Sequence, residues 1–207
     1  GKYDEAMPYY MEALETSLRV LGDEHPETLW SIDSMGNLLH MQGKYDEAMP
    51  YYAEALETQR RVLCDDHPDT LASITNMGNL LANRGKYDEA EVYFAEAVEG
   101  FRRVLGNEHP STLISIVNMG NLLSDQGKYD EAEVYYTEAL KTRRRVLGDE
   151  HPDTLGSIHN LALLLFCHCK YNEPMTHCVE ALESDSRLLG SARPDTLSSN
   201  HSFARRR

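Results

Sequence analysis

The sequence predicts an all-α protein, an α-solenoid of antiparallel helix pairs. The first observation is that the hexapeptide Gly-Lys-Tyr-Asp-Glu-Ala begins at residues 1, 43, 85 and 127, a step of 42 residues each time. The second is the dipeptide His-Pro, which keeps that step from His25 to His151. The third is a spacing of three and four residues between apolar side chains, which is typical of one helix face. Self-similarity at a fixed period indicates a repeat array.

Each unit predicts two helices. The first helix is expected over residues 3–21, because its apolar residues share one face and Gly22 supplies the left-handed residue that often follows a helix. Pro26 can open the second helix, since the first turn does not need its missing amide donor. That helix ends before Gly43, and the pattern then restarts. The later helices are predicted at about 45–63, 68–84, 87–105, 110–126, 129–147, 152–168 and 171–189.

These helices form a single predicted array over residues 1–207. Short connections of about two to five residues make successive helices antiparallel. Because Gly1 is already in repeat register, we expect the chain to begin in the middle of a unit. The array is divided into a helix at 3–21, full repeats at about 26–63, 68–105, 110–147 and 152–189, and a partial terminal helix at 194–207.

Composition excludes several classes of protein. With 41% hydrophobic and 26% charged residues, the chain can bury a core and is not a disordered polymer. No apolar run approaches the ~18 residues of a membrane span. A net charge of −14 argues against binding nucleic acid, which requires clustered cations. The four cysteines form no paired framework across the repeats, which predicts a reducing compartment and therefore the cytoplasm.

The second unit carries the signature of a known repeat. Small and large apolar residues alternate in it at fixed positions: Ile74, Met77, Gly78 and Leu81 in its first helix, and Ala90, Phe94 and Ala97 in its second. This pattern resembles the tetratricopeptide repeat (TPR), and the 42-residue form with a Leu-Gly-x-x-His-Pro loop resembles kinesin light chains and nephrocystin-type proteins. The resemblance implies a right-handed superhelix whose first helices, the A helices, line a concave groove that binds partner proteins.

Two rows of asparagines fall on the groove side that this resemblance implies. Each row occupies one repeat position: Asn37, Asn79 and Asn121 in the first, and Asn76, Asn118 and Asn160 in the second. A primary amide both donates and accepts, so such a ladder can bind the backbone of an extended peptide. The alternative is that the amides bond the neighbouring repeat and hold the stack together. Trp30 has two similar readings, stacking on a ligand or packing on the adjacent helix.

The charges of the groove restrict the partner. Its expected lining contains no Lys or Arg, which argues against a clamp for a terminal carboxylate and against acidic cargo peptides. Asp33 and Asp125 favour a neutral or basic peptide. We therefore predict a protein interaction scaffold that binds a peptide segment in the groove. The alternative function is a structural or self-associating array that stacks end to end through its open terminal repeats, as a homo-oligomer.

The sequence contains little that supports a catalytic or a metal-binding function. The His-Pro histidines lie a full repeat apart, too far to share a metal, so they are predicted to start helices. The weak metal candidates are Cys167, His168, Cys169, His177 and Cys178, whose spacing is not a known zinc pattern. The recurring arginine pairs are expected to neutralise acids near helix ends. With no placed nucleophile, base or phosphate loop, we predict no enzyme, no cofactor and no metal.

Overall fold

The computed structural model describes the backbone of residues 2–172 and the side chains of residues 2–168. This part of the chain contains helices and turns and no strand. Its eight helices are α1 (Tyr3–Leu21), α2 (Pro26–Met41), α3 (Tyr45–Leu63), α4 (Pro68–Asn83), α5 (Tyr87–Leu105), α6 (Pro110–Asp125), α7 (Tyr129–Leu147) and α8 (Pro152–Asn172). The predicted all-α solenoid is confirmed.

Consecutive helices pack side by side along the whole array. Each contacts the helix before it and the helix after it. The A helices are α2, α4, α6 and α8, and the B helices are α1, α3, α5 and α7. In addition, α2 contacts α4 and α4 contacts α6, so the A helices also join one repeat directly to the next. The described B helices meet mainly through long charged side chains, such as Arg60 with Glu96 at 2.6 Å.

The joint between the two helices of a repeat depends on a glycine. A Cβ atom on Gly78 would lie 2.9 Å from a ring carbon of Phe94, closer than van der Waals contact allows. Gly36 faces Tyr52 and Gly120 faces Tyr136 in the same way. Gly78 is one of the small residues of the repeat signature, and its contact with a buried ring explains why a small residue stands there.

The His-Pro dipeptides start the A helices, as expected. In each loop the histidine Nδ1 accepts a hydrogen bond from the backbone amide two residues on, at 3.1–3.2 Å. The histidine therefore caps the helix, and the proline that follows fills a position without an amide partner. The four loops thus share one capping arrangement.

The arginine pairs make two kinds of contact. The first arginine bonds a glutamate of the next B helix: Arg60 with Glu96, and Arg102 with Glu138. The second arginine bonds an acid in the loop before the A helix of its own repeat: Arg61 with Glu24, Arg103 with Asp66, and Arg145 with Glu108. Such exposed pairs contribute about 0–1 kcal/mol each. Their regular repetition accounts for the arginines structurally.

The last described helix differs from its prediction. α8 continues to Asn172, four residues beyond the expected end at 168. Earlier A helices are followed by a glycine with positive φ, such as Gly85 at 74°, and Cys169 takes that place here. A residue with a Cβ atom does not readily adopt that conformation, so the helix continues. The remainder of the predicted fourth repeat, from 173, and the terminal helix at 194–207 lie outside the described residues.

None of the described helices combines the length and the apolar character that a membrane span requires.

Candidate functional site

The surface of α2, α4, α6 and α8 that faces away from the B helices is here called the A-helix face. It contains the predicted asparagine rows and several exposed apolar side chains: Trp30 and Ile114, which are 66% and 51% exposed, and Leu163 and Phe166 on α8. Trp30 therefore does not pack extensively on the adjacent helix. α2, α4 and α6 contain no Lys or Arg, so this face has no cationic side chain along three repeats.

Asp33 is the centre of a hydrogen-bond network on this face. Its Oδ2 accepts from the amide nitrogens of Asn37, at 3.2 Å, and Asn76, at 2.8 Å. Its Oδ1 accepts from the Ser73 hydroxyl at 3.4 Å. Ser73 and Asn76 belong to α4, so the carboxylate joins two repeats. It does so with three neutral donors and no cation.

Burial shifts the titration of this network. Desolvation raises the pKa of Asp33 from 3.8 to about 6, and the bonds from Ser73, Asn76 and Asn37 oppose that rise only in part. Burial, assisted by the charge of Asp33, raises the pKa of Tyr52 far above its ordinary range. Burial also lowers the pKa of His40. The neutral His40 ring lies between the Tyr52 hydroxyl at 3.3 Å and the Asn83 amide at 2.7 Å.

The three amides of the first asparagine row differ in the B-helix residue that each one faces. The Tyr52 hydroxyl donates to Asn37 Oδ1 at 2.8 Å, and the Tyr136 hydroxyl donates to Asn121 Oδ1 at 2.6 Å. The corresponding residue of the middle repeat is Phe94, which has no hydroxyl. Within the described residues Asn79 therefore has no hydrogen-bond partner, while its two counterparts brace the helix pair.

The second row is divided in the same way. Asn76 donates to Asp33 of the preceding repeat. One and two repeats later, Asp33 is replaced by Thr75 and Val117, and the Thr75 hydroxyl donates to the carbonyl of Leu71 instead. Asn118 and Asn160 consequently have no partner among the described residues. Asn37, Asn121 and Asn76 therefore fit the structural interpretation of the ladder. For the amides of Asn79, Asn118 and Asn160, peptide binding stays a prediction.

This division predicts opposite stability effects within one row. Asn121→Ala is expected to lower the free energy of unfolding by about 1 kcal/mol, because it leaves the buried Tyr136 hydroxyl without its acceptor. Asn79→Ala is expected to raise it by a few tenths of a kcal/mol, since alanine has the higher helix propensity and no bond is lost. Urea unfolding followed by circular dichroism measures both.

A double-mutant cycle provides the control. Phe94→Tyr restores the hydroxyl found in the other repeats, so Asn79→Ala should become destabilising in that background. Equal effects of Asn79→Ala with Phe94 and with Tyr at this position would show that the missing hydroxyl does not distinguish the middle repeat.

A cavity of about 120 Å³ opens beside this network, between α2, α3 and α4. We call it the Trp30 cavity. It is several times larger than the roughly 10–15 Å³ that one water centre requires. Its polar and aromatic lining consists of Trp30, Asp33, Gln59, Asp69 and Ser73, and its apolar lining of Pro26, Leu29, Leu63 and Ala72.

Asp33 and Gln59 were not predicted as the hub of a network and the wall of a cavity. Both depart from the repeat: Asp33 corresponds to Thr75 and Val117, and Gln59 corresponds to Phe101 and Arg143. Residues that are identical at equivalent positions therefore do not point to them. The signal that could have found them is the opposite one, a repeat position whose residue type changes from unit to unit.

The metal candidates are only partly described. Nε2 of His168 lies 3.6 Å from a carboxylate oxygen of Asp130, and Cys167 is a free, partly buried thiol. Residues 2–168 contain no group of three or more His, Cys, Asp or Glu side chains placed to hold a metal ion. The other candidates, Cys169, His177 and Cys178, have side chains outside the described part.

Comparison of the sequence with protein families agrees with this architecture. The profile of the tetratricopeptide repeat family matches residues 1–61, 34–91, 69–144 and 115–173 in overlapping segments. These segments cover most of the chain. The chain belongs to the tetratricopeptide repeat family.

Solved structures similar to this chain share its fold. The nearly identical TPR-like repeats assigned to a kinesin light chain of Podosopora anserina have a TM-score of 0.72 and 24% identity over 88% of this chain and 85% of that one. BtubC (BKLC) from P. vanneervenii has a TM-score of 0.72 and 21% identity, covering 94% and 77%. A Rap protein in complex with Competence and Sporulation Factor has a TM-score of 0.64 and 20% identity, covering 88% and 48%. No curated protein sequence matches.

Proposed function

We propose that this protein is a non-enzymatic interaction scaffold of the cytoplasm, and that it binds an extended peptide segment of a partner protein on its A-helix face. The observation that carries the proposal is the set of unpaired amides on that face. Asn79, Asn118 and Asn160 lie in two repeating rows and have no partner within the described residues, although asparagine in a helix interior costs about 0.5 kcal/mol or more against alanine. A binding role accounts for retaining them.

The chemistry of these amides suits a peptide backbone. Each amide offers two donors and one acceptor, which pair with successive carbonyl and amide groups of an extended chain. Asn79 and Asn118 belong to neighbouring A helices, α4 and α6, which contact each other. Ile114, which is exposed on α6, supplies an apolar contact for a side chain of the peptide. One of the similar structures, the Rap protein, is described in complex with a factor, which supports ligand binding by this kind of fold.

The charge of the face favours a neutral or basic peptide. It contains Asp33 and Asp125 and, on α2, α4 and α6, no cation to receive a carboxylate. Burial keeps both carboxyl groups at a raised pKa, so both are costly to ionise without a counter-charge. A peptide with positive side chains supplies that counter-charge, whereas an acidic peptide adds repulsion.

A peptide display selection against the whole chain tests the proposal. Peptides that bind are re-measured by fluorescence anisotropy against the double variant Asn79→Ala/Asn118→Ala. Removing two hydrogen bonds of about 0.5–1.5 kcal/mol each should weaken binding roughly tenfold. The melting temperature should not fall, because neither amide has a partner within the described residues.

Asn107→Ala is the matched control. Asn107 is an exposed asparagine in the loop between α5 and α6, outside the A-helix face. Its replacement should leave the affinity unchanged. If the double variant binds selected peptides as tightly as the native chain, the unpaired amides are not the binding groups and the proposal fails.

A second candidate function is end-to-end self-association. Tyr10 and Leu18 of α1 are 37% and 40% exposed, whereas Tyr52, the α3 counterpart of Tyr10, is fully buried. A second copy that covered this face of α1 would bury that apolar surface. Light scattering over a dilution series distinguishes the two functions, since a constant monomer mass at all concentrations excludes self-association.

A further inference from the structure

The Trp30 cavity concentrates negative charge without an internal counter-ion. Asp33 and Asp69 both line it, and none of its lining residues is Lys or Arg. Asp33 accepts only from neutral donors, and the nearest charged partner of Asp69 is His67, at 3.7 Å, and only when that ring is protonated. Two carboxylates at one partly enclosed site favour a cation.

An unpaired acceptor lies in the wall of this cavity. Gln59 is only 4% exposed, and its Oε1 has no hydrogen-bond partner within the described residues. A buried acceptor without a donor costs about 1–3 kcal/mol. The site therefore lacks a hydrogen-bond donor as well as a positive charge.

A later repeat shows which group this location accepts. Arg143 occupies the position of Gln59 two repeats on, and it is 8% exposed between α7 and α8. Its Nη1 donates to the Ser157 hydroxyl at 2.8 Å and to the carbonyl of Asp153 at 3.1 Å. Ser157 and Asp153 are the counterparts of Ser73 and Asp69. The array thus contains, at the equivalent site, a buried guanidinium bonded to a serine hydroxyl and to the backbone carbonyl of an aspartate.

We infer that the Trp30 cavity binds the guanidinium of an arginine side chain from the peptide that lies on the A-helix face. Asp33 and Asp69 supply the charge, the Gln59 amide turns its unpaired Oε1 from the cavity wall toward the guanidinium, and the exposed indole of Trp30 stacks on the planar group. Arginine fits better than lysine, because its planar fork offers several donors at once and stacks on aromatic rings. This inference rests on the proposed function and adds an arginine requirement to it.

The test uses acetyl-arginine amide as a probe and acetyl-citrulline amide as its uncharged isostere. Trp30 is the only tryptophan in the chain, so its fluorescence reports on this cavity alone. We expect a saturable change with the arginine probe at a dissociation constant in the millimolar range, as suits so small a ligand. Citrulline should give at least tenfold weaker binding, because it lacks the positive charge.

Three variants and one control locate the effect. Gln59→Arg should fill the cavity with the chain's own guanidinium, as Arg143 does, and Gln59→Phe should fill it with a ring, as Phe101 does in the intervening repeat; both should abolish probe binding. Asp33→Asn should weaken probe binding at least tenfold. The control Asp88→Asn removes an exposed carboxylate of the B helix α5, outside the cavity and the A-helix face, and should leave binding unchanged. Circular dichroism establishes that each variant is folded.

Equal responses to arginine and citrulline, no saturable change with arginine, or undiminished binding by folded Gln59→Arg would each overturn the inference. If peptides selected by display bind through Asn79 and Asn118 but the arginine probe does not bind, only this inference fails. If the probe binds and no peptide can be selected, the cavity assignment stands and the peptide-binding function fails.

Discussion

Replacing Asp33 with asparagine is expected to raise the free energy of unfolding at pH 7 by about 2 kcal/mol. The cause is the burial that raises the pKa of Asp33 from 3.8 to about 6. A shift of about 2 pH units corresponds to a cost of roughly 3 kcal/mol for holding the ionised group in the folded chain. The expected gain is smaller than this cost, because an asparagine amide does not reproduce a protonated carboxyl group in full.

Asparagine can preserve the geometry of the network. Its oxygen can accept from Asn37 and Asn76 as Oδ2 of Asp33 does, and its amide nitrogen can donate to the Ser73 hydroxyl. Urea unfolding at pH 7 measures the gain. Asp125→Asn is the comparison, because that carboxyl is less enclosed and its replacement should produce a smaller change.

The gain should depend on pH. Because the folded-state pKa lies above the unfolded value of 3.8, folding takes up a proton between these two values. The free-energy cost of keeping Asp33 ionised in the folded chain is therefore absent below about pH 4. It grows through pH 4–6 and is complete near pH 7. The charge of Asp33 acts on Tyr52 of α3, and Asp69 of α4 lines the same cavity. If the stability difference between the two proteins were the same at pH 4.5 and pH 7, Asp33 would not titrate in this range.

A costly charge is more often found at a functional site than in a purely structural one. Asp33→Asn should combine higher stability with weaker binding of an arginine side chain. That combination cannot arise from misfolding. It would show that the carboxylate is retained for binding, at the expense of stability.

Cys64→Gly is expected to raise the free energy of unfolding by about 1–2 kcal/mol, or the melting temperature by roughly 2–8 °C for a chain of this size. Cys64 follows α3 with φ 74° and ψ 167°, a region that is essentially restricted to glycine. The equivalent residues Gly106 and Gly148 have nearly the same angles, with φ of 82° and 85°. Glycine removes the clash of the Cβ atom at some cost in chain entropy.

The reciprocal variant tests the same cause. Gly106→Cys places a side chain at the unstrained equivalent site and should lower stability by a comparable amount. Thermal unfolding in reducing buffer keeps the thiols from forming disulfides. If both substitutions were neutral, the backbone at this turn would relax without cost, and strain at Cys64 would be excluded.

Much of the fold could be predicted because it is local and repeated. His-Pro predicted where each A helix begins, and the histidine Nδ1 cap and proline explain why. The repeat signature placed a small residue at Gly78, and the contact of this glycine with the Phe94 ring explains the choice. The end of α8 was predicted too early, because the break that glycine provides elsewhere was assumed at a position where Cys169 stands.

Less of the candidate site could be predicted, because its residues differ between repeats. The asparagine rows are identical in sequence, but Phe94 in place of a tyrosine and Thr75 in place of Asp33 change which amides are paired. Gln59 could not be recognised from the sequence as a cavity residue. The cavity beside it is evident only by comparison with the space that Phe101 and Arg143 fill in later repeats. The bonds from Tyr52 to Asn37 and from Asn76 to Asp33 join residues that are 15 and 43 positions apart, beyond the reach of helical periodicity.

The sequence by itself determined the helices, their order and their antiparallel pairing, because caps, turns and apolar spacing act within a few residues along the chain. It also determined that α2, α4 and α6 carry no cation. Only the tertiary structure decided which asparagines are unpaired, how far Asp33 is desolvated and where the Trp30 cavity opens. Those properties depend on the distance between side chains of different repeats, and that distance exists only once the helices are stacked.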